Sequence, residues 1–184
     1  ASGSATYTTP TLTGNTTYTL ISAATTAAPI CVNPQTGSAT VTVTPLPTAT
    51  ISGTATICSG NTSVITFAGT AGATVTYTIN AGANQTVTLD ASGNATVTTP
   101  ALTANTTYDL VSVALLTCSQ PQVGSAVITV LPLPTASISG TTTICSGTTT
   151  TITFAGTPNA TLTYTIDGGA NQTVTLDATG NATV

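Results

Sequence analysis

A forty-residue block that occurs twice constrains this 184-residue chain more than any other feature. The block Ile51–Asp90 returns as Ile138–Asp177, with nine differences in forty positions and a constant offset of 87 residues. An offset of this size fits a whole domain, whereas solenoid repeats span about 20 to 45 residues and cannot stand alone. We therefore expect a tandem array of domains, each with its own core.

The two ends of the chain lie at the same phase of this repeat. Ala1–Tyr7 resembles Ala91–Val97 and Ala178–Val184, at offsets of 90 and then 87 residues. The three extra residues fall between Leu20 and Cys31, and we predict a loop there because an insertion within a paired strand would reverse its side-chain register. We expect either a piece of a longer periodic chain or a subunit whose halves are completed by neighbouring copies.

Strict alternation of apolar residues with threonine predicts β-strands. In Ala126–Val130 the residues Ala126, Ile128 and Val130 share one phase and are predicted to point inward, and Ile65 and Phe67 are predicted to face the core of another strand. Each repeat contains about seven such strands separated by turn residues. The predicted fold class is all-β, with tandem immunoglobulin-like (fibronectin III-like) β-sandwich repeats of about 87–90 residues.

A Pro-Leu-Pro sequence occurs at Pro45–Pro47 and again at Pro132–Pro134. Proline removes an amide donor and ends a strand, so we place the domain boundaries here. Residues 1–45 are then the C-terminal half of a repeat, 46–132 a complete repeat and 133–184 the N-terminal half of another.

Tyr108 and its counterpart Tyr18 each follow a leucine by six residues and open a predicted strand. This spacing is typical of the tyrosine corner of immunoglobulin-like sandwiches, in which the phenol binds backbone a few residues upstream. The alternative is a core tyrosine at the start of a strand.

The chain has no Lys, Arg or His, and its only acidic residues are Asp90, Asp109, Asp167 and Asp177. Nucleic-acid binding needs cations that displace counterions, and attachment to anionic membranes needs basic clusters, so neither partner is expected. Direct membrane insertion is not expected either. Without a base to activate a nucleophile we predict no enzyme, no cofactor and no metal site, and we interpret the aspartates as turn caps.

The string ICSG, a TITFAGT-type strand, TYTI, LTxNTTYxL and a second cysteine followed by GSAxxTVxPLP cover nearly the whole chain. This pattern resembles the tandem Ig-like repeats of very large secreted surface proteins of Bacteroidota, including gliding-motility adhesins. The resemblance implies a structural and adhesive segment of a long extracellular filament or stalk at the cell surface. Its partners would be neighbouring identical repeats or subunits, and surface glycans. The alternative is a ligand-binding module that recognises a glycan or a surface protein through the loop Ser22–Ile30.

Cysteines occur twice per repeat, and there is no CxxC pattern that would indicate zinc; they are Cys31, Cys58, Cys118 and Cys145. An oxidising, extracellular setting with disulfides is the better interpretation. We favour a Cys58–Cys118 disulfide inside the complete repeat, which would contribute about 4 kcal/mol in the chain-entropy model. Cys31 and Cys145 would then pair outside this segment. The rival pairing joins Cys31 to Cys58 across the Pro-Leu-Pro link.

Eight asparagines precede x-Ser/Thr and are candidate glycosylation sites: Asn15, Asn61, Asn84, Asn94, Asn105, Asn159, Asn171 and Asn181. In a threonine-rich chain many such sequences arise by chance. O-linked sugar on exposed threonines is an alternative, and a third is that these threonines are ordinary solvent-facing strand residues.

Overall fold

A computed structural model describes residues 3–184, and within this range every regular element is a β-strand. None of the described residues forms a helix long and apolar enough to cross a membrane. The first strands are β1 (Thr16–Thr19), β2 (Ser22–Ala24), β3 (Val32–Pro34) and β4 (Ser38–Val41). The next are β5 (Ala49–Ser52), β6 (Ala55–Cys58), β7 (Val64–Gly69), β8 (Thr74–Ile79), β9 (Gln85–Thr88), β10 (Asn94–Thr98), β11 (Thr106–Leu115), β12 (Cys118–Pro121) and β13 (Ser125–Leu131). The last are β14 (Ala136–Ser139), β15 (Thr153–Gly156), β16 (Thr161–Tyr164), β17 (Gln172–Thr175) and β18 (Asn181–Thr183).

Contacts within the chain define two compact units. The first contains the chain up to Ala55 together with Ser63–Thr99 and Thr106–Ile128, and the second contains Thr56–Thr62, Pro100–Asn105 and Thr129–Val184. The predicted domain bounds 1–45, 46–132 and 133–184 follow the sequence repeat and stay a prediction.

The sandwich is formed by two sheets. One sheet has the order β10-β7-β5, and the other has the order β6-β13-β11-β8-β9 with β12 added on β11. The consecutive strands β5 and β6 join different sheets, and β13-β11-β8 matches the G-F-C order of immunoglobulin sandwiches. The predicted all-β, immunoglobulin-like sandwich is therefore confirmed.

The core of the first unit comes from alternate residues of facing strands, as expected when successive side chains point to opposite faces of a sheet. The largest fully buried side chains of this unit include Ile65, Phe67, Val75, Tyr108 and Ile128. Three aromatic rings form a row, because Phe67 lies 5.0 Å from Tyr77, and Tyr77 lies 6.2 Å from Tyr108. The predicted inward positions Ile65, Phe67, Ala126 and Ile128 are confirmed, whereas Val130 is only half-buried.

The half-repeats keep the strand register of the complete repeat. In the first unit β1 pairs with β4 so that Tyr18 faces Ala39, just as Tyr108 faces Ala126. In the second unit β14 pairs with β15 as β5 pairs with β7, and β16 pairs with β17 as β8 pairs with β9. The sequence equivalence therefore extends to backbone pairing.

The predicted loop at Ser22–Ile30 is partly wrong. Ser22–Ala24 is strand β2, which pairs with β3, so the loop is only residues 25–31 at the tip of a hairpin. In the complete repeat the equivalent hairpin turns through Leu116 and Thr117, between β11 and β12. The three extra residues therefore lengthen a turn, which leaves the register unchanged.

Candidate functional site

The half-repeat in the first unit exposes residues that the complete repeat buries. Leu20 on this half-repeat is 53% exposed, whereas its equivalent Leu110 on β11 is 5% exposed. Val41 is likewise exposed and its equivalent Ile128 is fully buried. A shallow groove runs beside Tyr18, Leu20 and Ala39. Within the described part of the chain, this strand pair therefore presents an apolar face that no second sheet covers.

The half-repeat in the second unit has an open groove of its own. Its lining includes Ile138, Phe154, Leu162 and Tyr164. The Phe154 and Tyr164 rings lie 5.0 Å apart, the same separation as Phe67 and Tyr77 in the complete repeat.

The complete repeat shows which strand belongs beside such a groove. There β11 pairs with β8 so that Leu110 faces Tyr77. Among residues 3–184, strand β16, which carries Tyr164, pairs with β17 and with no strand equivalent to β11. The groove can therefore accept an extended strand that supplies backbone pairing and apolar side chains.

Two of the four aspartates cap turns. The Asp90 carboxylate accepts hydrogen bonds from the Ser92 and Asn94 amides at 2.8 and 2.9 Å. Gly93 in this turn has a φ of 78°, and a Cβ there would collide with the Gly69 carbonyl oxygen. Glycine is therefore required at that position.

Asp177 repeats this turn in the second unit. It accepts hydrogen bonds from the Thr179 hydroxyl at 2.7 Å and from the amides of Thr179 and Asn181. The Thr179 hydroxyl first, and then these amides, lower the pKa of the Asp177 carboxyl. Asp109 lies on β11 and Asp167 in a turn with a φ of 48°. No group of three His, Cys, Asp or Glu residues that could hold a metal ion occurs among residues 3–184.

Tyr108 lies on β11 with its ring buried against Tyr77, and Tyr18 is half-buried on β1. No buried side-chain nitrogen or oxygen in the described part of the chain lacks a hydrogen-bond partner. The tyrosine-corner hydrogen bonds at both positions stay a prediction.

Burial raises the pKa of Tyr77, and it raises the pKa of Tyr108 with a smaller contribution from the neighbouring Tyr77 charge. A raised pKa means that the folded state holds the phenol proton more tightly than the unfolded state. The contribution of these raised pKa values to the free energy of unfolding is fully present below the unfolded tyrosine pKa of about 10. It is lost as pH rises through the folded value.

We therefore expect the urea midpoint of the complete repeat to decline above about pH 10. Tyr108→Phe should weaken this decline, while Tyr7→Phe, which changes a residue that is 74% exposed, should leave it as it is. Urea unfolding at several alkaline pH values measures the effect. A midpoint that stays constant through the alkaline range would contradict it.

The structure does not join Cys58 to Cys118, and all four cysteines of the described chain are free thiols. Cys118 lies opposite Leu115, the last residue of β11, in the antiparallel pairing of β11 with β12. Cys58 precedes Ser59, whose amide donates to the carbonyl of Leu131 at the end of β13. The opposite end of β11 is the one that pairs with β13, because Thr106 faces Ile128. The two cysteines thus belong to different ends of the sheet.

All eight candidate glycosylation asparagines are exposed: Asn15, Asn61, Asn84, Asn94, Asn105, Asn159, Asn171 and Asn181. Sequence reasoning missed a structural role for two of them. The Asn105 side-chain oxygen accepts from the Val130 amide at 2.7 Å, and the Asn15 oxygen accepts from the Val43 amide at 2.8 Å. The repetition of Asn within both LTxNTTYxL segments was the available signal.

No family model and no curated protein sequence matches this chain. Among solved structures it is similar to one titled a marsupial T cell receptor, at 13% sequence identity and a TM-score of 0.44. The match covers 72% of this chain and 55% of the receptor chain. The fold assignment rests on the strand order described above.

Proposed function

We propose that the chain is a structural and adhesive segment of a long extracellular filament or stalk on a bacterial surface, without catalytic activity. The observation that carries this proposal is that both half-repeats reproduce the strand register of the complete repeat. A chain that repeats one sandwich in series is suited to spanning distance. The likeness to Bacteroidota surface adhesins rests on the sequence pattern.

The links between repeats are built in a uniform way. Thr48, directly after the first Pro-Leu-Pro link, donates its amide to the Thr70 hydroxyl at 3.0 Å. Thr135, directly after the second link, donates to the Thr157 hydroxyl at 2.9 Å. Proline restricts the backbone within each link. Each repeat is therefore entered by a short, stiff segment anchored to its own sheet.

The partner we propose is a neighbouring identical repeat or subunit. The groove beside β16 lacks the strand that β11 supplies in the complete repeat, and β1 carries the equivalent of β11. A neighbouring copy can supply β1 and β4 by strand addition, which forms main-chain hydrogen bonds and covers apolar side chains.

A tandem fusion tests the filament proposal. It consists of residues 1–184 followed directly by residues 8–184 of a second copy, so that Thr8 follows Val184 and the repeat phase is preserved. We expect small-angle X-ray scattering to show a rod at least about 100 Å long, since each of three complete sandwiches spans a ten-residue strand at about 3.3 Å per residue.

The control fusion replaces each Pro-Leu-Pro link with Gly-Ser-Gly. Flexible links should shorten the average particle, because glycine-serine chains behave as random coils. A compact, near-spherical particle from the unmodified fusion would refute the filament proposal.

A second candidate function is binding at the β2–β3 hairpin. This hairpin exposes Ile30 and Val32, and the adjacent Ile21 is 71% exposed. Exposed apolar side chains on a loop are a common feature of recognition surfaces. Glycan-array binding that is lost when residues 26–30 are replaced by Leu-Thr, the shorter turn of the complete repeat, would favour this function. Array signals that the shortened loop retains would remove it.

A further inference from the structure

The second cysteine of the complete repeat lies against the link that leads into the repeat. Cys118 begins β12, and its thiol donates a weak hydrogen bond to the Thr44 carbonyl at 4.0 Å. Thr44 directly precedes the link Pro45–Pro47. The Cys118 side chain is half-buried. This cysteine therefore marks the entrance of the repeat.

The first cysteine lies beside the link that leads out. Cys58 ends β6, and the next residue, Ser59, donates its amide to the Leu131 carbonyl at 2.8 Å. Leu131 directly precedes the link Pro132–Pro134. The Cys58 side chain is exposed and accessible for reaction. This cysteine marks the exit of the repeat.

Thr44 and Leu131 are the same position of the repeat, since they are 87 residues apart. Two separate contacts thus place two different cysteines beside one position of the array. At a joint between two complete repeats, the first cysteine of one repeat and the second cysteine of the following repeat would then both lie beside the carbonyl of this one position. A disulfide needs Cα atoms about 4.4–6.8 Å apart, so cysteines that both lie beside one carbonyl group are candidates for pairing.

Pairing within one repeat does not satisfy this geometry. Cys118 lies opposite Leu115 at one end of β11. Cys58 lies next to Ser59, which binds Leu131 at the end of β13 that extends past Thr106, at the other end of β11. The nine residue steps between these ends of β11 correspond to about 30 Å. That separation is several times the reach of a disulfide.

We infer that consecutive repeats are crosslinked at each joint by a disulfide between the first cysteine of one repeat and the second cysteine of the next. This inference rests on the tandem arrangement in the proposed function, though not on adhesion. The oxidant is a small-molecule disulfide such as oxidised glutathione. One thiolate attacks it and forms a mixed disulfide, the second thiolate displaces glutathione, and two glutathione thiols leave with the two electrons and two protons.

The tandem fusion contains two complete joints and so tests this pairing. After refolding in a glutathione redox buffer, we expect Cys58 to be linked to the second copy's Cys31, and Cys145 to the second copy's Cys118. Peptide mass spectrometry without reduction reads out the links, using chymotrypsin and elastase because the chain has no Lys or Arg. Cys58→Ser in the first copy should remove the first link and leave the second.

A Cys58–Cys118 peptide, or four joint cysteines that all still react with maleimide, would overturn the inference. A distance measurement on the single chain is independent of whether the fusion folds. Nitroxide labels on Cys58 and Cys118, in a variant carrying Cys31→Ser and Cys145→Ser, should be at least about 30 Å apart by pulsed electron paramagnetic resonance. A separation within disulfide reach would also overturn it. The scattering experiment can fail while these links form, so the two proposals are distinguished.

Discussion

Leu110→Ala is expected to lower the free energy of unfolding of the complete repeat by about 2–5 kcal/mol, the range for leucine truncations in packed cores. Leu110 is 5% exposed and faces Tyr77 across the pairing of β11 and β8. Truncation removes apolar contacts and leaves a cavity that the surrounding strands fill only partly. Urea unfolding followed by tyrosine fluorescence measures the loss, since Tyr77 and Tyr108 lie in this core.

The half-repeat provides a matched control of the same residue type. Leu20 occupies the equivalent position and is 53% exposed. Leu20→Ala is expected to change the free energy of unfolding by at most about 0.5 kcal/mol, as for other surface substitutions. Equal losses for the two variants would contradict the conclusion that only the complete repeat buries this position.

Local pattern was sufficient to predict the strands and most of the core. Alternation in Val64–Gly69 points Ile65 and Phe67 to one face, and the structure buries both completely. The aspartate turn was equally predictable from the sequence, because Asp90 supplies the cap and Gly93 adopts the positive φ that the turn needs. In each case the determining interactions lie within a few residues along the chain.

Burial in the half-repeats could not be predicted in the same way. Leu20 and Leu110 share the surrounding sequence LTxNTTYxL, yet one is exposed and the other buried. The difference comes from the sheet around each residue: β11 lies in the large sheet and contacts β5 of the second sheet, whereas among residues 3–184 β1 pairs with β4 alone. Alternation indicates which side of a strand is apolar, whereas the contacts that cover that side depend on residues far away in the sequence.

Cysteine pairing could not be derived from the sequence for a related reason. Cys58 and Cys118 lie in the same predicted repeat, and their spacing gave no indication of which end of the sheet each one reaches. That information is in the strand register, where Cys118 faces Leu115 and Thr106 faces Ile128. The register is therefore what supports the proposed pairing across the joints.

Disulfides across the joints are expected to make a tandem array almost inextensible. Without disulfides, an unfolded repeat of 87 residues can extend to about 300 Å, at up to about 3.3–3.6 Å per residue. With joint disulfides, tension passes from one repeat to the next through the crosslink and then through the 27 residues from Cys118 to Cys145 or their equivalents. Because the joint disulfides overlap along the chain, only one such 27-residue segment carries the tension for every two repeats. The extended length is therefore about 45 Å per repeat.

Single-molecule force spectroscopy on a longer fusion of the same phase measures this length before and after reduction with dithiothreitol. The extended contour length per repeat should be about six times greater in the reduced array than in the oxidised one, and Cys→Ser replacement at every cysteine should match the reduced array. Crosslinks within repeats would release the same 27 residues in every repeat, or about 90 Å. An extended length of about 90 Å per repeat in the oxidised array would therefore contradict pairing across the joints, because only disulfides that overlap along the chain reduce this length to about 45 Å.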